Sequence, residues 1–234
     1  IYKGQHKMTK EYVAIKYSNN NFSNIIFETK LYQYINRMKA KGFPKLKWYG
    51  TQTIDNTLYN CLVLELLGNP LTTLIGSISF ENALNIGIQL IERVRTLHSL
   101  NLVHRDIKPD NFLFGLPNSG KENILYLIDL GMAKKYINDD TNMHIDKPQT
   151  NRVHGRHIGT QKYISLNEEC CILEPTRRDD IESCLYIIME LIYGNLPWDT
   201  NDIHNRCNIK KDVITTIKKG FLVDLLVYAR SLNF

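Results

Sequence analysis

The sequence is poor in the features that mark secreted and membrane proteins. It has five cysteines in 234 residues, an odd number, and no C-x-x-C pair. Disulfide bonds are therefore not expected, and an intracellular location fits best, cytoplasmic with the nucleus as an alternative. No apolar run approaches the roughly 18 residues of a membrane span, and no signal peptide is visible. We expect no membrane association.

The histidines and cysteines also lack the spacing of a metal site. His154, His157, Cys170 and Cys171 lie close together in the sequence. Their intervals match no usual zinc-ligand pattern. We therefore interpret them as buried thiols and surface histidines.

An excess of one charge is absent as well. The formal net charge is only +5, and 23% charged with 43% hydrophobic residues is ordinary for a globular protein. No arginine-rich run occurs, so a nucleic-acid partner is not expected. The mild positive charge suits an anionic ligand or an acidic substrate.

Apolar spacing divides the chain into a strand-rich part and a helical part. The elements predicted in the first part are strands at Glu11–Tyr17, Leu46–Gln52 and Leu58–Leu67 and a helix at Phe22–Met38. Gly-Asn-Pro at 68–70 interrupts this pattern. We place a boundary there, which gives an N-terminal lobe of 1–67 and a C-terminal lobe of 68–234.

The second part is predicted to be mainly helical. Its predicted elements are helices at Phe80–Ser99, Asp180–Tyr193 and Val223–Leu232 and a short strand at Glu122–Asp129. The helix at Asp180–Tyr193 is so apolar that we expect it to be buried nearly all round. The expected fold class is α+β.

The stretch LVHRDIKPDNFLFG, Leu102–Gly115, concentrates polar groups between apolar residues. Phosphoryl transfer requires a cation on the phosphates, oxygen ligands for Mg²⁺ and a carboxylate beside the attacking hydroxyl. Asp106 is a candidate for the carboxylate, Lys108 for a cation, and Asn111 for an oxygen ligand of a hard metal ion. The stretch therefore indicates phosphoryl-transfer chemistry.

Three residues elsewhere in the chain complete this set. Asp129 stands at a strand end and offers a second oxygen ligand. Lys16 ends the strand motif VAIK, and Glu28 lies on the following helix, where it could pair with Lys16.

In this order, VAIK, HRDIKPDN and DLG resemble the signature of eukaryotic protein kinases. Lys108, two residues after Asp106, and Thr160 resemble serine/threonine kinases rather than tyrosine kinases. The resemblance implies a bilobal kinase fold, with ATP and Mg²⁺ as cofactors and proteins as substrates.

The similarity narrows to the casein kinase I family and covers essentially the whole chain. GTQKYISLN, Gly159–Asn167, has Ser-Leu-Asn where most kinases have Ala-Pro-Glu. RRDDIES, LPW and ARSLNF are further matches. This family prefers serine or threonine that follows an acidic or phosphorylated residue. We expect such substrates here, and a monomer.

The resemblance also implies roles for individual residues. Asp106 would be the catalytic base, and Asn111 and Asp129 would bind Mg²⁺. Asp180 would anchor the loop that carries Asp106.

A second set would hold the nucleotide. Lys16 would contact the α- and β-phosphates and Glu28 would hold Lys16. The adenine contacts would be Glu65 and Leu67 as the hinge, Leu64 as the gatekeeper, and Ile1, Ala14, Leu113 and Ile128 around the purine.

Basic residues are expected to recognise the acidic substrate. Lys162 occupies the position of the family's arginine in GTARY, and Lys210 and Lys211 match a second basic element. Because lysine lacks the bidentate fork of arginine, we expect weaker discrimination in favour of a priming phosphate.

The chain departs from the family at its ends. The family's Gly-rich loop would precede Ile1, and the last helices would follow Phe234, so we expect truncation at both ends. Leucine in Asp-Leu-Gly is a mild change, because it can fill the apolar slot of phenylalanine. Two functions remain open: an active serine/threonine kinase, and a catalytically impaired pseudokinase or fragment that acts as a binding scaffold.

Overall fold

The computed structural model describes most of the residues of the chain. They are 1–19, 25–138, 140–145, 159–170, 174–200, 203–216 and 220–232. His154, His157 and Cys171 lie outside them, as does the start of the helix predicted from Phe22. Within the described ranges, no group of three or more His, Cys, Asp and Glu side chains is arranged to hold a metal ion.

The described residues form short strands and longer helices. The strands are β1 (Tyr2–Gln5), β2 (Tyr12–Ser18), β3 (Leu46–Ile54), β4 (Thr57–Glu65), β5 (Leu102–Val103), β6 (Phe112–Phe114), β7 (Leu125–Leu127) and β8 (Lys134–Lys135). The helices are α1 (Ile25–Arg37), α2 (Phe80–His98), α3 (Leu166–Glu169), α4 (Arg177–Tyr193), α5 (Ile203–Thr216) and α6 (Phe221–Ser231).

The chain folds as two compact units, and the first is built on an antiparallel sheet. This unit comprises Ile1–Pro70 and Phe112–Gly131. Its strands follow the order β1-β2-β4-β3, and α1 packs against β2, β3 and β4. Tyr32 and Ile35 of α1 are fully buried, so this face of α1 supplies the core between the helix and the sheet.

The hairpin of β6 and β7 also belongs to the first unit, which corrects the predicted division at residue 68. Phe114 accepts a hydrogen bond from Gly68 N at 2.8 Å, and Phe114 N donates to the carbonyl of Asn69 at 3.0 Å. These bonds attach the hairpin to the segment that follows β4. Spacing along the chain cannot predict this return, because the bonded residues are far apart in sequence.

The second unit, Leu71–Asn111 and Met132–Phe234, is mainly helical. The helix α2 begins at the cap residue Ser79, whose side chain accepts a hydrogen bond from the amide of Asn82, and it packs against α4. From Glu182 to Leu191 every residue of α4 is buried, which confirms the expectation of burial nearly all round. The α+β class, with a sheet in the first unit and helices in the second, is confirmed.

Two helices were not predicted from the sequence, α3 and α5, and they contact each other. The helix α5 has few apolar residues and two buried cations, Arg206 and Lys210. In the described part of the chain, no helix has both the length and the hydrophobicity that crossing a bilayer requires.

Candidate functional site

The first unit holds a cluster of one lysine and two carboxylates. Lys16, on β2, places Nζ 2.7 Å from Oε2 of Glu28 and 3.0 Å from Oδ1 of Asp129. Glu28 projects from α1 and is buried, whereas Asp129, after β7, keeps 41% of its side chain exposed. The structure therefore brings together these three predicted residues, and Lys16 bridges the two acids.

Burial and charge act against each other in this cluster. Burial alone would lower the pKa of Lys16, but the charges of Glu28 and Asp129 and the hydrogen bonds to them outweigh it and raise that pKa. Burial raises the pKa of Glu28, an effect that Lys16 offsets in part. Lys16 is thus held as an ammonium group at neutral pH.

A cavity of about 260 Å³ opens beside this cluster, entirely within the first unit. All of the residues that the resemblance assigned to the nucleotide line it: Ile1, Ala14, Lys16, Glu28, Leu64, Glu65, Leu67, Leu113, Ile128 and Asp129. Its walls are mainly apolar, and the polar groups are concentrated around Lys16. This distribution suits a ligand with a flat apolar part and an anionic part.

Four further residues line the cavity and were not predicted. They are Tyr32, Pro44, Leu66 and Gly68. Tyr32 could have been found, because it lies four residues after Glu28 on the same face of α1. Pro44 precedes β3, and no motif in the sequence predicts that it lines the cavity.

The second unit holds another polar cluster, centred on Asp106. Its Oδ2 lies 2.8 Å from Nζ of Lys108. Asn111 donates from Nδ2 to the carbonyl of Asp106 at 2.8 Å and to Oδ2 at 3.3 Å. The structure thus brings together the three residues predicted in this loop, and it orients the carboxylate of Asp106 from two sides.

Thr160 joins this cluster from a distant part of the chain. Its hydroxyl donates to Oδ1 of Asp106 at 2.9 Å and accepts from Lys108 at 3.1 Å. The preceding Gly159 has a φ of 91°, and a Cβ there would lie 2.6 Å from the carbonyl oxygen of Arg105. Glycine is therefore required for Thr160 to approach Asp106 this closely.

Asp180, on α4, holds the backbone just before Asp106 in place. It accepts hydrogen bonds from the amides of His104 at 2.7 Å and Arg105 at 2.9 Å, and His98 Nε2 lies 2.9 Å from it. Arg105 has a φ of 69°, a strained conformation that these bonds support. Burial would raise the pKa of Asp180, but the hydrogen bond and charge of His98 and the amide bonds lower it overall.

Lys162, predicted to bind a substrate anion, is paired within the protein. Its Nζ lies 2.6 Å from Oε1 of Glu190 and 2.5 Å from Oδ2 of Asp199. Glu190 is buried, whereas Asp199 has 52% of its side chain exposed. The two carboxylates balance the charge of Lys162 before any substrate arrives.

Lys210 is not placed to meet a substrate, which corrects its predicted role. Its side chain is fully buried, 2.8 Å from Oε2 of Glu169, and it donates to the carbonyl of Ile164 at 2.7 Å. Burial lowers the pKa of Lys210, and Glu169 opposes that effect. Lys210 is a structural cation between α3 and α5. The neighbouring Lys211 is exposed.

A comparison with known protein families finds a match that includes the residues of both polar clusters. A family model described as a protein kinase domain matches residues 1–227. The match covers all of the first unit and all of the second unit up to residue 227. It includes the cavity residues, the Asp106 cluster and the three predicted substrate-binding lysines.

Proposed function

The chain belongs to the protein kinase family, whose activity is phosphoryl transfer to proteins, and we propose that it is a serine/threonine kinase of the casein kinase I type. The observation that supports a preference for serine and threonine over tyrosine is that Lys108 contacts both Asp106 and Thr160. The motif Ser-Leu-Asn at 165–167 supports the narrower assignment. Here the proposed reaction is transfer of the γ-phosphoryl group of ATP.

We propose that the cavity of the first unit binds a purine nucleotide. Its apolar walls, formed in part by Ala14, Leu64 and Ile128, suit a flat ring. Lys16 is kept charged by Glu28 and Asp129, so it would bind the phosphates. We propose that Glu65 and Leu67 hold adenine through their backbone groups.

Asn111 and Asp129 are the proposed protein ligands of Mg²⁺. Kinases hold this ion with one or two side-chain oxygens together with the phosphates. Asp129 has an exposed carboxylate, and Asn111 uses its amide nitrogen toward Asp106, which leaves the side-chain oxygen for a cation. When bound, Mg²⁺ neutralises charge on the phosphate oxygens.

Asp106 is the proposed base for the substrate hydroxyl. Its carboxylate is positioned by Thr160 and Asn111 and would accept the proton as the hydroxyl attacks. Lys108 would stabilise the negative charge of the transferring phosphoryl group.

The proposed substrates carry acidic or phosphorylated residues near the target hydroxyl. Lys211 is exposed and would attract them. Because Lys162 is already paired with Glu190 and Asp199, we propose only weak dependence on a priming phosphate.

The retained polar residues favour catalysis over the scaffold alternative. A scaffold needs neither the Lys16–Glu28 pair nor the Asp106 cluster. We further propose that the protein works as an intracellular monomer, cytoplasmic or nuclear, which size-exclusion chromatography and localisation of a tagged chain would test.

Phosphoamino-acid analysis tests the proposed function directly. The purified chain would be incubated with Mg²⁺, γ-labelled ATP and casein, and the labelled amino acids would then be separated. Label on serine and threonine is expected. Label on tyrosine would overturn the hydroxyl preference, and no labelling of casein or of other acidic proteins would overturn the proposed activity.

A further inference from the structure

Two cysteine side chains meet in the second unit. Sγ of Cys170 lies 2.6 Å from Sγ of Cys207, although the residues are 37 positions apart. This separation is about 0.5 Å longer than a disulfide bond. Both side chains are half-buried, so a small oxidant can reach them from solvent.

The backbone around the two thiols is held by ion pairs. Cys170 ends α3 and Cys207 lies on α5. Glu169, next to Cys170, bonds Arg206, next to Cys207, at 2.9 Å and Lys210 at 2.8 Å. All three charged side chains are buried. The sulfur atoms therefore face each other because the two helices are fixed together.

We propose that Cys170 and Cys207 are a redox-sensitive pair that forms an intramolecular disulfide on exposure to a peroxide. One thiolate attacks a peroxide oxygen, which gives a sulfenic acid and releases water. The second thiolate then attacks that sulfur and releases a second water. Two thiols lose two electrons and two protons in total, and the peroxide is reduced to two waters. A thiol reductant of the glutathione class restores both cysteines.

The surroundings of Cys170 disfavour its charged form. Burial, together with the hydrogen bond to Cys207, raises the pKa of Cys170 to about 12. The nearby charge of Lys211 acts in the opposite direction and favours the thiolate of Cys170.

The disulfide would join two segments that matter for the Asp106 cluster. The helix α3 directly follows the segment that carries Thr160, and its cap residue Ser165 bonds Asp179 of α4 at 2.6 Å. Linking Cys170 to Cys207 would tie this segment covalently to α5. Since the two sulfur atoms are already adjacent, the disulfide bond would constrain the unfolded chain without distorting the fold.

Peptide mapping of the oxidised full-length chain tests the proposal. The reduced protein would be treated with hydrogen peroxide, denatured, and assayed for free thiols. The expected count falls from five to three, because two thiols are consumed. A non-reducing tryptic digest should then contain residues 163–177 linked to residues 207–210. A count that stays at five, or links between separate chains only, would overturn the proposal.

Matched serine variants identify the partner, because Cys170 and Cys171 share one tryptic peptide. Cys171→Ser should still form the link to Cys207, whereas Cys170→Ser should lose it. An equal link in Cys170→Ser would overturn the assignment to Cys170. If that variant does not fold, fragmentation of the linked peptide from Cys171→Ser still identifies Cys170.

Thermal unfolding supplies an independent readout. Oxidation should raise the Tm of Cys171→Ser by about 5–10 °C, and a reductant should reverse the rise. A lower Tm after oxidation would show that the fold does not accommodate the bond, which contradicts the proposal.

Discussion

The hydroxyl of Thr160 donates a hydrogen bond to Asp106, with 2.9 Å between Oγ1 and Oδ1. The same hydroxyl accepts a hydrogen bond from Lys108. One small side chain thus connects the proposed base to the proposed phosphate-binding cation, 54 residues from Asp106 in the chain.

Removal of this hydroxyl should slow the chemical step more than it weakens binding. A hydrogen bond to a charged group contributes about 1.5–3 kcal/mol, so Thr160→Ala should lower kcat about 10- to 100-fold with little change in KM for ATP. Thr160→Ser keeps the hydroxyl and should stay within a few-fold of the unmodified chain. Steady-state kinetics on an acidic peptide compares them. Equal kcat for the alanine and serine variants would contradict this role.

Replacement of Lys16 should make stability depend on pH. Glu28 already has a pKa raised above its ordinary value of 4.5, and Lys16→Met would leave its buried carboxylate without the cation. The cost is expected to be about 1–3 kcal/mol at neutral pH. Because the folded state binds the proton more tightly than the unfolded chain, this deficit should shrink as the pH falls through the raised pKa toward 4.5.

Urea unfolding of Lys16→Met between about pH 8 and pH 5 measures this effect. The double variant Lys16→Met/Glu28→Gln is the control, because its side chain at position 28 has no charge to bury. Its free energy of unfolding should lack the gain that Lys16→Met shows as the pH falls. A deficit in Lys16→Met that grows as the pH falls would show that Glu28 is not the group responsible.

Removal of one of the two carboxylates that pair with Lys162 should strengthen the preference for primed substrates. Asp199 is the exposed member of the two carboxylates that pair with Lys162, so Asp199→Asn would leave part of that charge for a substrate phosphate. We expect the ratio of kcat/KM for primed over unprimed peptides to rise about 3- to 10-fold. Lys162→Arg should raise this ratio too, because arginine binds phosphate through two parallel hydrogen bonds.

Lys162→Met is the control for this series and should remove any gain from Asp199→Asn. A primed preference in the unmodified chain as strong as that of Lys162→Arg would contradict the proposed weak dependence on priming.

The adjacent lysines 210 and 211 should behave differently. Lys210→Ala would leave Glu169 with only Arg206 and would deprive the Ile164 carbonyl of a donor, at a cost of about 3–5 kcal/mol. Lys211→Ala changes an exposed residue and should alter stability by less than about 0.5 kcal/mol. Urea denaturation of both variants checks this contrast. Comparable stabilities would show that Lys210 does not act as a buried cation that stabilises the fold.

The helices that bury apolar faces were predictable from the sequence, and α5 was not. The predicted helix Phe80–Ser99 corresponds to α2, where apolar residues at helical spacing form the core. In α5, Arg206 and Lys210 occupy buried positions. Because both side chains are charged, these positions do not contribute to an apolar pattern with helical spacing. Their partner Glu169 lies 37 and 41 residues earlier. The ion pairs that make burial of these two cations possible join residues far apart in the sequence, so they leave no local sequence pattern.

The same dependence on tertiary contacts explains why the predicted nucleotide-binding residues were easier to assign from sequence than the predicted substrate-binding residues. Motifs such as VAIK and DLG are local, so Lys16 and Asp129 could be assigned from the resemblance and do line one cavity. The environment of Lys162 depends on Glu190 and Asp199, which no motif connects to it. A basic residue can be assigned to an anion site from sequence, but whether its charge is already balanced requires the fold.

The rate of phosphoryl transfer by Asp106→Asn tests the central claim most directly. Asparagine preserves the size of the side chain but cannot act as the base, so kcat should fall by about 10²- to 10⁴-fold. The rise in Tm produced by Mg²⁺–ATP should remain, since Asp106 is not assigned to nucleotide binding. Undiminished turnover in Asp106→Asn would contradict the account.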